Sequence, residues 1–301
     1  MKSKNLINAA KAMFYEARRM ITGQQWIASL DIIDHCNLKC DHCYYAFSED
    51  SAKRQYDITL DDWKIRMRDI YESGIRKIIM LGGEPSLRPD VLMLAQEIFL
   101  ETIIITNGIV KVPDEYEGSI IVSIDGLPET NDAIRGKSVF KRAIENYAGD
   151  PRCSLNITMM QNNYLELEGV VKTAIDNSFA YVTNNIYTGH PSDSLFVENS
   201  LRDKMVAEMQ RVHKLYPSYY FMNDRILEWF AQPDHNDRCT WSTNAIHLDI
   251  SGDKMKCFNE PDCSNCGCFA GAAFSCMDMK HVVRHPFKAF KTLKAYQALG
   301  E

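Results

Sequence analysis

Cys36-Asn-Leu-Lys-Cys-Asp-His-Cys43 carries three thiols on one short segment at the spacing C-x3-C-x2-C. Cysteine thiolates gathered on one loop are the usual ligands of iron–sulfur clusters. Three ligands leave the fourth iron of a cubane cluster open, and an open metal position is a place for a substrate or cofactor. Just upstream, Trp26-Ile-Ala-Ser-Leu-Asp-Ile-Ile33 is an apolar run of strand type. The thiols therefore follow the C-terminal end of a first strand, the end that carries the active site in α/β barrels. Two plainer readings are a zinc knuckle and scattered core cysteines. Zinc wants four ligands and would have to recruit a neighbour such as His35 or His42. Core cysteines do not crowd so closely by chance.

Outward from this loop, the composition is that of a globular protein. The chain has 301 residues, 46% hydrophobic and 25% charged, which suits one large domain plus a small appendage. The net charge is −6 with no long run of one sign, which argues against nucleic acid as the main partner. Ten cysteines is a high count, yet the chain opens with no signal peptide. No apolar stretch reaches the ~20 residues that a membrane-spanning helix needs. These features point to a cytoplasmic, reducing setting in which the cysteines serve metal rather than disulfides.

Residues 5–22 read as an amphipathic helix, with Leu6, Ala10, Met13, Ala17 and Met20 or Ile21 at helical spacing and Lys11, Arg18 and Arg19 among them. Such a helix either packs on the outside of the fold or touches a membrane surface and a lipid substrate. Beyond it, strand-like and helix-like segments alternate. Strands are predicted at 27–33, 77–81, 102–106, 119–124, 154–159 and 180–186, and helices at 59–73, 90–99, 138–148, 163–177 and 199–215. Ser138 is placed to cap the third of these helices. The alternation implies a parallel sheet with right-handed crossovers, and by itself allows a partial barrel or a doubly wound sheet equally.

Several strand ends carry polar or glycine residues. The strand Lys77-Ile-Ile-Met-Leu81 runs into Gly82-Gly83-Glu84-Pro85, where two glycines let the backbone approach a ligand and Glu84 offers a carboxylate or carbonyl. The third strand ends at Thr106 and Asn107, which also reads as an ordinary Asn-Gly turn. The fourth places Ser123 and Asp125 near its end, with Arg135 shortly after. An arginine fork suits a carboxylate, and the alternative for Arg135 is a surface salt bridge.

The three-cysteine loop after a first strand, followed by Gly-Gly-Glu-Pro, resembles the signature of the radical S-adenosylmethionine (radical SAM) superfamily. His42 stands where that family usually has an aromatic residue. The resemblance implies a partial (β/α)6 TIM-like barrel, a [4Fe–4S] cluster on Cys36, Cys40 and Cys43, and S-adenosylmethionine on its open iron. Gly82, Gly83, Glu84 and Pro85 would hold the methionine amino group, while Thr106 and Asn107 end the neighbouring strand. Ser123, Asp125 and Arg135 lie in a run that contacts ribose and carboxylate in many cluster-rich members. Asn156 is a further ribose candidate, and Asn185 to Gly189 lie towards the adenine.

Past about residue 220 the pattern changes. Cys239, Cys257, Cys263, Cys266, Cys268 and Cys276 crowd together, with a hairpin between the first two. The spacing Cys239-x12-Gly252-x4-Cys257 resembles the opening of the SPASM and twitch auxiliary-cluster domains. The later cysteines depart from the SPASM spacing and look more like the shorter twitch type. A second [4Fe–4S] cluster is expected on Cys239, Cys257, Cys263 and Cys266, with Cys268 or Cys276 able to replace either of the last two. A structural zinc site on the same thiolates is the alternative. A thiol left over, Cys268 or Cys276, could give a hydrogen atom to a substrate radical. Cys153 reads as a core residue.

The expected organisation is a helix over 1–25, a barrel over 26–220 and a Cys-rich auxiliary domain over 221–301. The expected chemistry is reductive cleavage of S-adenosylmethionine and hydrogen abstraction from a small-molecule, sugar or lipid substrate, with electrons from a donor such as flavodoxin or ferredoxin. Maturation of a ribosomally made peptide is the competing reading, disfavoured here because the cluster loop comes too early to leave room for a peptide-recognition domain. A metal-binding regulatory module would leave Gly82–Pro85 and the Ser123, Asp125 and Arg135 set without a purpose.

Overall fold

The computed structural model describes residues 11, 14–15, 17–19, 21–43, 58–189, 194–236, 239, 241, 245–255, 257 and 263–276. Seven parallel strands form one sheet: β1 (Ile27–Ile33), β2 (Lys77–Gly82), β3 (Glu101–Thr106), β4 (Ser119–Ser123), β5 (Cys153–Met159), β6 (Val182–Ile186) and β7 (Ala245–Leu248). A short eighth strand, β8 (Lys254–Met255), pairs antiparallel with β7. The helices are α1 (Leu60–Glu72), α2 (Pro89–Ile98), α3 (Pro128–Arg135), α4 (Val139–Tyr147), α5 (Leu167–Asp176), α6 (Asn199–Leu215), α7 (Asp224–Ala231) and α8 (Phe269–Cys276). Most of the expected N-terminal helix lies outside the described residues. Its Tyr15 ring stacks on Trp26 with centroids 5.8 Å apart.

The strand order is β6-β5-β4-β3-β2-β1-β7-β8. From β1 to β6 it never reverses, and this decides between the two architectures that alternation left open. Right-handed crossovers in an unreversed order put every helix on the same face, so the sheet curls into a half-barrel. A doubly wound sheet needs a reversal to cover its second face. The packing agrees. Leu30, Ile32, Met80, Ile104, Val122 and Leu155 on the sheet share one apolar cluster with Trp63 and Met67 of α1, Leu92 of α2, Tyr147 of α4 and Val171 of α5.

The opposite, concave face is read from the parallel register. Ser29 aligns with Ile79 and His247, Ser123 with Asn156, Asn156 with Thr183, and Thr158 with Asn185. Apolar side chains thus occupy the middle of the concave face and polar ones its flanks. β7 is fastened to β1 by more than its ladder. The Ser29 hydroxyl lies 2.8 Å from His247 Nδ1, and both side chains are buried. Burial lowers the His247 pKa to about 4 despite Asp249, so the ring is neutral, and its approach to Asp31 at 3.8 Å is polar rather than ionic. The sheet therefore runs on past residue 220, where a separate C-terminal unit is expected.

Sequence reading missed α3, because its eight residues make only about two turns and are flanked by glycines. It placed the start of α4 at Ser138, which is the N-cap position. Ser138 sits at φ 64° and makes no side-chain cap, while the Asp132 carboxylate accepts the Ser138 and Phe140 amides at 2.6 and 2.9 Å.

The end of β2 is pressed against the segment that leads into the cysteine loop. The Gly83 amide donates to Ile33 O at 2.7 Å and the Glu84 amide to His35 O at 2.9 Å. A Cβ on Gly83 would stand 2.2 Å from His35 O, and one on Gly82 2.4 Å from Ile33 O. The glycines thus admit a neighbouring backbone of this chain, where ligand approach was expected. Gly83→Ala should cost about 1–3 kcal/mol, the scale of an overpacked site. It should also speed amide exchange at Asp41, in the cysteine loop. Gly149→Ala, at φ +75° with open space around it, is the control. It should cost about 1 kcal/mol of backbone strain and leave Asp41 exchange unchanged.

Candidate active site

Cys36, Cys40 and Cys43 lie just past β1, each partly exposed. A turn from Cys43 N to Cys40 O at 3.2 Å shapes the loop, and Asp41 N anchors it on Ile134 O of α3 at 3.1 Å. Two donors face Cys36 Sγ: the Leu38 amide at 3.4 Å and Asn107 Nδ2 at 3.8 Å. Asn107 also donates to Asn37 Oδ1 at 2.7 Å. Burial pushes the Cys40 thiol up to about 11, with Arg135 opposing and the other two cysteines adding repulsion. Cys36 is raised for the same leading reason. Cys36 and Cys40 therefore favour the protonated form until a metal cation replaces the proton. Among the described residues no group of three or more Cys, His, Asp or Glu is already drawn together as a metal shell. The donor set nonetheless fits a cluster held by three thiolates: soft sulfur ligands on one loop, N–H donors aimed at sulfur, and a cation alongside.

Glu84 is 1% exposed, and its carboxylate is fully engaged. Oε1 accepts from the Ser86 amide at 2.9 Å and the Thr106 hydroxyl at 2.6 Å, and Oε2 accepts from the Asn107 amide at 2.8 Å. Glu84 therefore ties the end of β2 to the end of β3 through its carboxylate, which leaves its carbonyl as the group of the expected pair not spent in this brace. Thr106 is likewise spent, donating to Glu84 and accepting from Gly108. Pro85 is buried in a short 3-10 turn. Asn107 serves by holding Asn37 and Cys36, a brace that the Asn-Gly turn reading did not foresee.

Asp125 is completely buried. Its Oδ2 lies 2.6 Å from Arg135 Nε and 3.2 Å from His42 Nε2, and Oδ1 accepts the Thr158 amide at 2.9 Å. The Arg135 N–H is not aimed squarely at the oxygen, so the contact is chiefly ionic. Burial would raise the Asp125 pKa, but Arg135, His42 and the Thr158 amide outweigh it and hold the carboxyl ionised. Arg135 is 7% exposed, which overturns the surface-salt-bridge alternative. It is close enough to Cys40 and Cys43 to interact electrostatically with both. Asp125 holds Arg135 and His42 in place. His42 also meets the Tyr187 ring edge-on at 6.4 Å.

Ser123 is half-buried at the mouth of β4 and aligned with Asn156. Asn156 donates to Thr183 Oγ1 at 2.7 Å and accepts from Asn185 at 3.1 Å. Asn185 in turn accepts the Phe269 amide at 2.8 Å, which links the concave face to the Cys-rich segment.

In that segment Cys239, Cys257, Cys263, Cys266 and Cys268 come together. Cys266 interacts electrostatically with Cys239, Cys263 and Cys257, and Cys268 with Cys266, Cys257 and Cys239. Burial pushes Cys266 up to about 12 and raises Cys268 well above the usual thiol value. The Cys268 amide donates to Cys266 Sγ and the Gly271 amide to Cys268 Sγ, each at 3.4 Å. The Cys276 side chain lies outside the described residues. Cys153 is buried in β5, as expected.

Asp125→Asn removes the only carboxylate that faces Arg135 among the described residues. Stripping one partner from a buried ion pair should cost about 3–5 kcal/mol. Denaturant unfolding of the metal-free chain measures it. A loss under ~1 kcal/mol, the value of an exposed pair, would contradict the enclosed geometry.

Residues 30–174 match the family described as Radical SAM superfamily. Among curated proteins, the chain is 26% identical over 201 residues to Fe-coproporphyrin III synthase of Methanosarcina barkeri, covering 60% of this chain and 50% of that protein. It is 26% identical over 258 residues to GTP 3′,8-cyclase of Sulfurimonas denitrificans, covering 76% and 78%. The chain thus spans about half the length of the first of these relatives. Among solved structures it resembles Streptococcus suis SuiB, bound to S-adenosylmethionine or to precursor peptide SuiA. Both comparisons give a TM-score of 0.62 and 17% identity, over 82–84% of this chain and 64% of that one. That likeness concerns the fold, a half-barrel carrying its cysteine loop past β1. The family match over residues 30–174, just under half of the chain, together with the curated relatives identifies the chain as a member of the radical SAM superfamily of enzymes.

Proposed function

We propose that this chain reductively cleaves S-adenosylmethionine and removes a hydrogen atom from an unactivated C–H bond of a polar small molecule. The observation that carries the reading is the seat of the Cys36–Cys43 loop at the barrel mouth, with Arg135 beside Cys40 and Cys43. When bound there, a four-iron cluster supplies the electron that splits S-adenosylmethionine into methionine and a 5′-deoxyadenosyl radical. The residues of this chain bind, orient and shield that chemistry. Arg135, anchored through Nε, offers the rest of its fork to a carboxylate. The Gly82–Glu84 backbone offers carbonyls to an ammonium group, and Ser123, with no partner among the described residues, offers a hydroxyl to a ribose.

For the substrate, the concave face supports a polar molecule, since Ser123, Asn156, Thr158, Thr183 and Asn185 share it by register. GTP 3′,8-cyclase and Fe-coproporphyrin III synthase, named for small-molecule reactions, support the same class. A ribosomal peptide is the second reading, favoured by the SuiB likeness, since that protein was solved with a precursor peptide. The lipid reading rests on residues 5–22, most of which lie outside the described residues. A small electron carrier such as flavodoxin or ferredoxin is the proposed donor.

For the C-terminal thiols we propose a second metal centre on Cys239, Cys257, Cys266 and Cys268. Cys239 and Cys257 are the thiols that both Cys266 and Cys268 sense, and Cys268 senses Cys266 as well. Cys266 and Cys268 each receive an amide N–H at sulfur, as cluster ligands do. Cys268 replaces Cys263 in the expected set, and its burial among thiols argues against a free hydrogen-atom donor at the barrel mouth.

Anaerobic reconstitution followed by dithionite and S-adenosylmethionine should yield 5′-deoxyadenosine. The joint change Cys36→Ala, Cys40→Ala and Cys43→Ala should abolish it while the second site still takes up metal. Nucleoside formation at the parent's rate in that variant would sink the reading. Cys268→Ala should lower iron from ~8 to ~4 per chain, as far as Cys239→Ala does, counting four irons per cluster. Iron that stays near the parent's level in Cys268→Ala would restore Cys263 as the ligand.

A further inference from the structure

Arg202, on the first turn of α6, is 1% exposed, among the most deeply buried large side chains of the protein. Its guanidinium reaches into the Cys-rich segment. Nη1 donates to Cys266 O at 3.1 Å and to Phe230 O, near the end of α7, at 3.3 Å. Nη2 donates to Asn265 O at 3.1 Å and Asn265 Oδ1 at 2.7 Å. Nε is buried with no hydrogen-bond partner. Among the described residues no carboxylate stands within ion-pair distance of this cation, in contrast to Arg135.

Carbonyls solvate a guanidinium but do not neutralise it. An arginine enclosed with no counter-charge carries a desolvation cost of several kcal/mol. The anion this cation needs is absent while the neighbouring sulfurs stay protonated. It appears once Cys239, Cys257, Cys266 and Cys268 give up their protons to a metal: four thiolates around a divalent ion, or around a four-iron cluster, keep a net negative charge.

We infer that Arg202 is the buried counter-cation of the C-terminal metal–thiolate centre and sets how firmly that centre holds its metal. The inference rests on the metal-centre reading of these cysteines. It assigns Arg202 two tasks. The fork fixes the Asn265–Cys266 turn, so that Cys266 is presented at one position. The charge stabilises thiolates over thiols. Arg202 is a positioning residue, acting on the metal through Cys266 rather than touching it.

The test separates charge from bracing. Arg202→Lys and Arg202→Gln both lose the fork and both keep one donor group for the carbonyls; they differ in charge. Each is made in the full chain, with and without alanine at Cys36, Cys40 and Cys43, then loaded with iron and sulfide. Metal release to an excess of chelator is followed. Arg202→Gln should release metal from the second centre about 10–100-fold faster than the parent, the usual scale for a residue supporting a ligand. Arg202→Lys should fall closer to the parent than to Arg202→Gln. In metal-free protein the order should invert, with Arg202→Gln unfolding no more easily than the parent, because a buried charge without its anion is then removed. Equal release from the two variants, or release from Arg202→Gln at the parent's rate, would overturn the charge role. Equal destabilisation of metal-free and loaded forms by Arg202→Gln would reduce Arg202 to a brace. If the alanine-substituted chain takes up neither iron nor zinc, the metal-centre reading itself fails, and the inference with it.

Discussion

The buried Asp125 carboxylate is the contact on which the site depends. It joins three parts of the chain that sequence separates: the cysteine loop through His42, α3 through Arg135, and β5 through the Thr158 amide. Its own backbone is fixed as well, the amide by Asn131 and the carbonyl by Asn163. An ion pair in so enclosed a place is stable only when most of its polar groups find partners. Here that condition forces α3 to lie where its last turn can meet the loop. The cysteines are thus set by a network anchored at the barrel mouth, and their own short segment could not supply that rigidity.

Two buried arginines show opposite electrostatic solutions. Arg135 lies against a carboxylate, and the pair is complete in the protein alone. Arg202 is surrounded by carbonyls and thiols, with no carboxylate within ion-pair distance among the described residues. In the first case the sequence carries both members of the pair. In the second, on the proposal made above, the partner would be an anion that forms when metal binds, which would make the C-terminal segment the more metal-dependent of the two cysteine-bearing regions.

Much of this was legible in the sequence. All six barrel strands appear within a residue or two of their expected places, because apolar runs bounded by glycine and polar turns are a local signal. The cysteine loop and Gly82–Gly83 were legible for the same reason. What was hidden is long-range. Nothing in Ile-Arg-Gly says that Arg135 turns back to Asp125, or that Glu84 spends its carboxylate on β3. The expected end of the barrel near residue 220 could not reveal that β7 would pair with β1, since a four-residue strand has little periodicity to read. Arg202 carries no signal in the sequence, and only its burial singles it out.

A half-barrel has two open edges, and each is a template on which another chain can pair. Here both are occupied from the C-terminal side. β7 and β8 extend the sheet beyond β1, ending on a two-residue strand that bears Lys254, a short charged edge that does not invite addition. At the other end, β6 is covered by Tyr219 to Phe221 and by Gly267, whose carbonyl accepts the Ile186 amide at 2.9 Å. The gathered cysteines lie between these two covers, since Cys239 and Cys257 pack with Trp26 and Ile27 while Gly267 lies on Ile186. Metal on those thiolates would act as a clasp across the barrel's open seam. Its loss would loosen both covers together and bare two sheet edges, so the metal-depleted chain would fail first by self-association.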